Sequence, residues 1–202
     1  MMAKKQETES LVGDYHKFRW FYTFSGKLVV GGKSAEQNDF LLSTLRETEK
    51  ELMVMHTSEP GSPFSVILSD LDKIKESDLI ECAIFTGCFS RAWKMKKSKT
   101  MVDMFKLSQL NKSREMKEGT WGVNGKIERI LVKLELGLTR QKGILRAVPI
   151  QSIKPKELLI RAIPGNIEKS DISAKLELEL DDVFDQEELL SAVPAGGVSL
   201  TK

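Results

Sequence analysis

Short apolar segments bounded by glycine- or proline-containing turns recur along most of the 202-residue chain. The first, Lys17–Phe24, is rich in aromatic residues, and Ser25-Gly26 separates it from the apolar triplet Leu28–Val30. Aromatic and β-branched residues favour strands, and a short turn containing glycine joins neighbouring strands as a hairpin. Residues 127–138 alternate apolar and charged side chains, which is typical of a strand with one buried face. The sequence therefore predicts antiparallel strand pairs as the basis of the fold.

Helical patterns are fewer and less regular than the strand patterns. Ser34 and Gln37 have the spacing of a capping box, which predicts a helix that ends near Arg46. Ser77 begins the longest predicted helix, whose buried face extends to Trp93. Strands and helices alternate too irregularly for a doubly wound parallel sheet. The predicted fold class is therefore α+β: a mainly antiparallel twisted sheet packed with one long and several short helices.

The chain divides into three predicted parts. Residues 1–16 are polar and predict a mobile N-terminal arm. Residues 17–126 form the main domain, and residues 127–202 form a β-rich C-terminal extension with an acidic tail, packed on the same domain. Within the extension, Pro164-Gly165-Asn166 is predicted to end a strand, and residues 195–202 are predicted to be frayed.

Charge is distributed unevenly, although the formal net charge of the chain is only +2. Residues 168–202 carry nine acidic and three basic side chains, so the preceding part of the chain is strongly basic. The densest basic run covers residues 91–117, with nine lysines and arginines against two acids. Such a run is typical either of a surface that binds a polyanion or of a solvated face without a partner. The acidic tail is expected either to aid solubility or to fold back on the basic face.

Composition excludes several classes of protein. With 41% hydrophobic and 30% charged residues, the chain has the balance of a globular protein and not of a disordered one. No stretch approaches the roughly 18 apolar residues of a membrane span, and the polar N-terminus does not resemble a signal peptide. We therefore expect no membrane partner and a cytoplasmic location. Two histidines and two cysteines lack the spacing of a metal site, so no metal and no small-molecule cofactor is expected.

Two local patterns leave alternatives open. Arg19, Trp20, Phe21 and Tyr22 occupy one predicted strand, so the arginine and the phenylalanine share one face. One face must be core, and the other either also belongs to the core or stacks unpaired bases.

His56 precedes a loop rich in glycine, proline and serine. It is either a hydrogen-bonded structural histidine or a general base, and a base would need a second titratable group that the sequence does not identify.

Several short motifs follow one another in a recognisable order. They are Phe18-Arg19-Trp20-Phe21, Val29-Val30-Gly31-Gly32-Lys33, Gln37-Asn38, His56, Gly61-Ser62-Pro63, Ser90-Arg91-Ala92-Trp93, Ser108-Gln109-Leu110-Asn111-Lys112 and Gly119-Thr120-Trp121. Together they resemble the NFACT-R domain over roughly residues 17–126. The resemblance implies an RNA-binding domain. Larger proteins of the family combine it with an NFACT-N domain and a coiled coil, bind the large ribosomal subunit and tRNA, and act in ribosome-associated quality control.

Residues 127–202 have no counterpart that we identify in those large proteins. They look like the extension of stand-alone forms of the family, which are proposed to work in RNA metabolism or modification. The family's Gln-Val-Ser-Lys motif is Gln109-Leu110-Asn111-Lys112 in this chain, which is a looser match than the other motifs.

The predicted function is that of an RNA-binding protein that recognises tRNA or rRNA through a basic surface, in translation, ribosome quality control or RNA modification. The ribosome is a further expected partner. Two alternatives are an RNA-processing or RNA-modifying enzyme that uses His56, and a protein-interaction module of a ribosome-associated complex. No catalytic residue is assigned. The predicted RNA-binding residues, taken from the motifs and from the basic run, are Arg19, Lys33, Asn38, His56, Ser90, Arg91, Trp93, Lys94, Lys96, Lys97, Gln109 and Lys112.

Overall fold

The computed structural model describes residues 10–180 and 184–201, and it confirms the α+β class. In these residues the strands are β1 (Arg19–Tyr22), β2 (Leu28–Gly31), β3 (Met53–Thr57), β4 (Ser65–Ile67), β5 (Lys99–Lys106), β6 (Leu110–Asn111), β7 (Gly122–Val123), β8 (Glu128–Lys133), β9 (Leu136–Gln141), β10 (Ile144–Val148), β11 (Ile160–Ile167) and β12 (Val198–Thr201). The helices are α1 (Ala35–Glu47), α2 (Glu76–Cys88), α3 (Arg91–Lys94), α4 (Ile172–Leu180) and α5 (Gln186–Ala192). None of these helices is long and apolar enough to cross a bilayer.

The helices differ in detail from the predicted arrangement of one long and several short helices. Helices α1 and α2 each contain 13 residues, so two helices share the greatest length among the described residues. The predicted long helix stops at Cys88, and Ser90 starts the separate short helix α3, which carries Trp93. The start of α1 agrees with the prediction, because the Ser34 hydroxyl accepts a hydrogen bond from the Gln37 N–H.

The described strands form antiparallel sheets. The large sheet has the order β1-β2-β4-β3-β5-β8, a second sheet has the order β10-β9-β11-β12, and β6 pairs with β7. The alternating segment 127–138 is therefore not one strand. Its first half is β8, the edge of the large sheet, and its second half begins β9 of the second sheet. The extension thus contributes a strand to the main domain, so the predicted boundary after residue 126 cuts through the large sheet.

Helices cover both faces of the large sheet. Helix α1 packs its buried leucines on one face, and α2 packs on the other face together with the second sheet. Because side chains alternate along a strand, Trp20 and Tyr22 enter the α1 core, whereas Phe21 enters the α2 core. All three are buried. The hypothesis that one face of this strand stacks unpaired bases is therefore wrong.

The acidic tail is part of a folded core. Helices α4 and α5 bury Ile172, Leu176 and Leu189 completely, in the same core that contains the second sheet. Residues 198–201 form β12 on the edge of that sheet, so the prediction of a frayed end from residue 195 does not describe them. Pro164-Gly165-Asn166 lies inside β11, where the pairing register shifts, and does not end the strand.

The described part of the predicted N-terminal arm packs against the domain. Residues 1–9 of that arm lie outside the described residues. Ser10–Val12 and Tyr15–Lys17 form 3-10 turns, and Val12 and Tyr15 are buried in the α1 core. The Tyr15 hydroxyl lies 3.0 Å from the hydroxyl of Tyr22 on β1.

Candidate functional site

A cleft of about 560 Å³ opens at one end of the large sheet. Antiparallel pairing aligns Arg19 at the start of β1 with Gly31 at the end of β2, and Gly31 with Ser65 at the start of β4. Ser65 in turn pairs with Met55 near the end of β3. Side chains from the beginning and the end of four strands therefore meet at this cleft.

The first wall of the cleft is the loop 58–63. The Ser62 hydroxyl accepts a hydrogen bond from the Thr57 N–H at 2.9 Å, which fixes the loop to the end of β3. Gly61 has φ +105°, a backbone conformation that other residues rarely adopt, and the Arg91 side chain packs against it. The Arg91 N–H donates to the Gly61 carbonyl at 2.7 Å. This wall is therefore shaped by its backbone and anchored to α3.

The second wall is the segment 118–121, which precedes β7. A hydrogen-bond network around Asp39 of α1 holds it in place. The Lys112 ammonium donates to both carboxylate oxygens of Asp39 at 2.9 and 3.0 Å, and to the carbonyls of Lys117 and Thr120. The Trp121 indole N–H donates to the same carboxylate at 2.7 Å. Burial opposes ionisation of Asp39, but these bonds and one from a backbone N–H outweigh it, so its pKa is lowered.

The turn between β2 and α1 forms the floor. Buried Asn38 accepts the Phe64 N–H through its side-chain oxygen at 3.1 Å and so joins α1 to the entry of β4. The backbone of Gly32 passes so close to Asn38 that a Cβ there would lie 2.8 Å from the Asn38 nitrogen. Lys33 follows on the exposed side of the turn and lines the cleft.

His56 lies in the cleft as a half-buried ring against Phe64, with 4.5 Å between ring centroids. Its Nδ1 lies 2.7 Å from the Thr57 carbonyl oxygen, so the proton on Nδ1 donates to that oxygen. Burial lowers the pKa of His56 and outweighs this hydrogen bond and the charge of Asp103, which both raise it. The imidazole is therefore neutral at pH 7, and it presents a flat face and a hydrogen-bonding edge.

Aromatic rings and cations share the lining of the cleft. The aromatic residues are Phe64, Phe89, Phe105 and Trp121, in addition to the imidazole described above. The Arg19 guanidinium lies 4.7 Å from the centroid of the Phe89 ring, so an aromatic face supports the cation. Such a lining suits a planar heteroaromatic group that carries negative charge nearby.

The structure places four of the predicted RNA-binding residues together in this cleft. Arg19, Lys33, Asn38 and His56 all line it, although they lie up to 37 positions apart in the sequence. Asn38 is committed to the internal hydrogen bond described above. Arg19, Lys33 and His56 are the other three of the predicted residues that line the cleft.

Other predicted residues are used inside the protein. The Ser90 hydroxyl caps α3 by accepting the Ala92 N–H at 3.1 Å, and Trp93 is 0% exposed and donates to the Gly197 carbonyl. The Gln109 amide donates to two backbone carbonyls near the end of the β6–β7 segment, each at 2.8 Å. Lys112 holds the second wall. These internal hydrogen bonds indicate that all four side chains stabilise the fold.

Basic residues of the run 91–117 contact different elements of the fold. Arg91 and Lys97 lie beside the first wall, where the Lys97 ammonium donates to Glu59 at 2.7 Å. Lys94 packs near Gly196, and the Lys96 ammonium donates to the side-chain oxygen of Asn166 in β11, so both lysines face the second sheet. Lys112, by contrast, bonds to Asp39 of α1. Charges that are close together in the sequence therefore have contacts in different parts of the fold.

Two cations of the extension were missed by sequence reasoning. Arg146 lies close enough to Arg19 and Lys33 for their charges to influence one another, and Lys169 is near Arg19. Burial, followed by the charges of Arg146 and Arg19, lowers the pKa of Lys33. A signal for Arg146 was present, because it is the one charged residue in the apolar strand Ile144–Val148.

Comparisons with known proteins found a matching family model and a similar protein. A family model described as "NFACT protein RNA binding domain" matches residues 17–125. The chain is 31% identical over 205 residues to the archaeal Rqc2 homolog aRqcH of Methanocaldococcus jannaschii, a match that covers 93% of this chain and 29% of that protein. The chain thus spans less than a third of this relative's length. The match takes in most of residues 127–202, which corrects the expectation that the extension has no counterpart in large family proteins.

A solved structure shows the same fold. It is the C-terminal part of the fibronectin/fibrinogen-binding protein from Streptococcus suis, with a TM-score of 0.51 and 22% sequence identity. The similarity covers 58% of this chain and 45% of the other. At this identity the comparison concerns the fold alone. The family resemblance of the motifs is confirmed by the family model, which covers more than half of the chain: the protein belongs to the NFACT-R family of RNA-binding domains.

Proposed function

We propose that this protein binds tRNA or rRNA and that its cleft receives an unpaired nucleotide of that RNA. The observation that carries the proposal is the cleft itself, which joins aromatic rings to cations within the segment that matches the family. Proteins recognise structured RNA mainly at loops and ends, where bases are free to stack. Each base stacked on an aromatic side chain contributes about 1–3 kcal/mol.

The dimensions and chemistry of the cleft suit a nucleotide. A volume of about 560 Å³ lies in the range of sites for small organic ligands. The neutral His56 ring offers a flat surface for a base, and Arg19 and Lys33 offer positive charge for its phosphate. Arg91 beside Gly61 extends this charge along the first wall. The cleft therefore supplies stacking for the base and positive charge for the backbone.

The proposed role lies in translation. The relative from Methanocaldococcus jannaschii is named as an Rqc2 homolog, and the family is that of NFACT RNA-binding domains. On this basis we extend to this chain a role in ribosome-associated quality control, with the ribosome as a partner and a cytoplasmic location.

A binding experiment with three RNAs tests the proposal. Fluorescence anisotropy compares a tRNA, an rRNA hairpin with an unpaired loop, and a fully paired duplex of similar length. We expect the first two to bind more tightly than the duplex. If about four to six phosphates are neutralised, log K falls with log salt at a slope of roughly −3 to −5.

A paired set of variants locates the binding site. The double variant Arg19→Gln/Lys33→Gln is expected to lose at least tenfold in affinity, because charge-assisted hydrogen bonds contribute about 1.5–3 kcal/mol each. Lys50→Gln is the matched control, since this exposed lysine precedes β3 at the opposite end of the sheet. Equal affinity for duplex and loop RNAs, or wild-type affinity in the double variant, would contradict the proposal.

A further inference from the structure

Cations from both parts of the chain converge at the outer edge of β1. This cationic cluster consists of Arg19 on β1, Lys33 after β2, Arg146 on β10 and Lys169 in the turn after β11. The salt bridges of the described residues involve none of the four. The cluster therefore concentrates positive charge that no carboxylate of the described residues pairs directly.

Arg146 is the most deeply buried member, with 8% of its surface exposed. Its guanidinium lies 4.2 Å from the centroid of the Trp20 ring, and its Nε has no hydrogen-bond partner among the described residues. Glu188 is the carboxylate whose charge acts on Arg146. That carboxylate already accepts the Leu145 N–H at 2.7 Å and bonds to Arg140. One donor of a buried cation is thus left without an acceptor.

This arrangement is unfavourable unless an anion binds to it. Burial in a poorly polarisable environment and repulsion from a neighbouring cation both disfavour a charged guanidinium. Burial, partly offset by Glu188, and then repulsion from Arg19 lower the pKa of Arg146 to about 10. Arg146 therefore stays charged at pH 7. A buried donor without an acceptor costs free energy, and an anion near the guanidinium would offset the desolvation of its charge.

Each of the two arginines lies against an aromatic ring. Arg19 lies against the ring of Phe89, and Arg146 lies over the ring of Trp20. A guanidinium that is supported on its flat face keeps its N–H edge available for two parallel hydrogen bonds to a phosphate. Lysines act as point charges and add attraction without fixing the orientation.

We propose that the cationic cluster is a phosphate subsite that adjoins the cleft through Arg19 and Lys33, so that the C-terminal extension completes the RNA-binding site. The ligand is the phosphate of the nucleotide that enters the cleft, and for this identity the inference rests on the proposed function. Arg146 and Lys169 supply half of the cations, although both lie outside the segment 17–125 that matches the family model. The binding site is therefore shared between the two parts of the chain.

Titration of the full chain with two probes tests this subsite. The probes are inorganic pyrophosphate, followed by calorimetry, and a short single-stranded RNA, followed by anisotropy over a salt series. The variants are Arg146→Gln, Lys169→Gln and their combination, and Lys156→Gln is the control because it removes the same charge from an exposed turn of the extension. Thermal unfolding of each variant establishes that it is folded.

We expect each cluster variant to weaken RNA binding about tenfold and to reduce the salt slope by about 0.7, whereas Lys156→Gln stays within twofold of the wild type. Arg146→Lys should recover only part of the affinity, because it restores the charge without the planar fork. If Arg146→Gln does not fold, Lys169→Gln decides, since its side chain is only half-buried.

The outcomes separate this inference from the proposed function. Wild-type affinity and slope in the double variant would overturn the subsite while leaving RNA binding established. Binding of pyrophosphate without binding of any RNA, lost in the variants, would support an anion site and overturn the proposed RNA ligand. A wild-type chain that binds neither probe would overturn both.

Discussion

Single polar residues of the family motifs stabilise the fold through internal hydrogen bonds. Lys112 and Gln109 lie in a motif of the family, and both direct their donors to backbone carbonyls or a carboxylate within the domain. The Lys112 ammonium has three N–H donors and bonds to three acceptor groups, one carboxylate and two carbonyls, so it has no donor left for a phosphate. The family motif around Lys112 therefore stabilises the wall of the cleft.

The network around Asp39 makes stability depend on pH. Asp39→Asn is expected to lower the free energy of unfolding at pH 7 by about 1–3 kcal/mol, because it leaves the Lys112 ammonium poorly paired. The pKa of Asp39 is lowered in the folded state from its ordinary value of 3.8. The contribution of the carboxylate to stability is therefore complete above pH 3.8 and is lost as pH falls through the pKa of the folded state.

Urea unfolding at several pH values measures this effect. The difference between the wild type and Asp39→Asn should narrow below the ordinary pKa of an aspartate. Asp72→Asn, at an exposed carboxylate in a surface turn, is the control and should change stability little. A constant difference down to pH 2 would contradict the role of the carboxylate charge.

At the scale of elements, the β2–α1 turn couples the sheet to the cleft. Ser34 caps the helix, as its spacing with Gln37 predicts, because a cap depends on neighbours in sequence. The role of Asn38 depends instead on Phe64, 26 positions away. The helix boundary was therefore predictable, whereas the bond that joins this helix to β4 was not.

Gly32→Ala tests this coupling. The added methyl group would overlap Asn38, so we expect a loss of about 1–3 kcal/mol in stability and a weaker RNA affinity because Lys33 is displaced. Gly26→Ala is the control at the opposite end of the β1–β2 hairpin, where a Cβ meets no atom within 4 Å. It should cost stability through its φ of +84° but leave RNA affinity unchanged. Equal RNA affinity in both variants would argue against the coupling.

At the scale of the whole molecule, the extension and the main domain share one core. Trp93 of α3 is fully buried and donates to the Gly197 carbonyl, and β8 pairs with β5. The Tyr22 backbone exchanges two hydrogen bonds with the Gln141 amide, 119 positions away. The extension is therefore a structural part of the domain.

Deletion of residues 168–202 tests this integration. It removes the buried side chains of α4, α5 and β12, so we expect loss of cooperative unfolding and binding of an apolar dye, measured by circular dichroism and fluorescence. If the tail only masked the basic face, the truncated chain would fold and would bind RNA more tightly than the wild type. The control variant Glu177→Gln/Glu187→Gln neutralises exposed charge and keeps the core. We expect it to fold and to bind RNA as the wild type does.

Local sequence patterns predicted the α+β class, most strand positions, the start of α1 and the family motifs, because these depend on residues a few positions apart. Tertiary contacts decided which of those residues are exposed. They buried both faces of β1, placed Trp93 in the core, and gave the lysines of the basic run contacts with different elements. They also brought Arg146 beside Arg19, 127 positions away. Such a pair leaves no local periodicity, since the path of the chain through two sheets brings its members together.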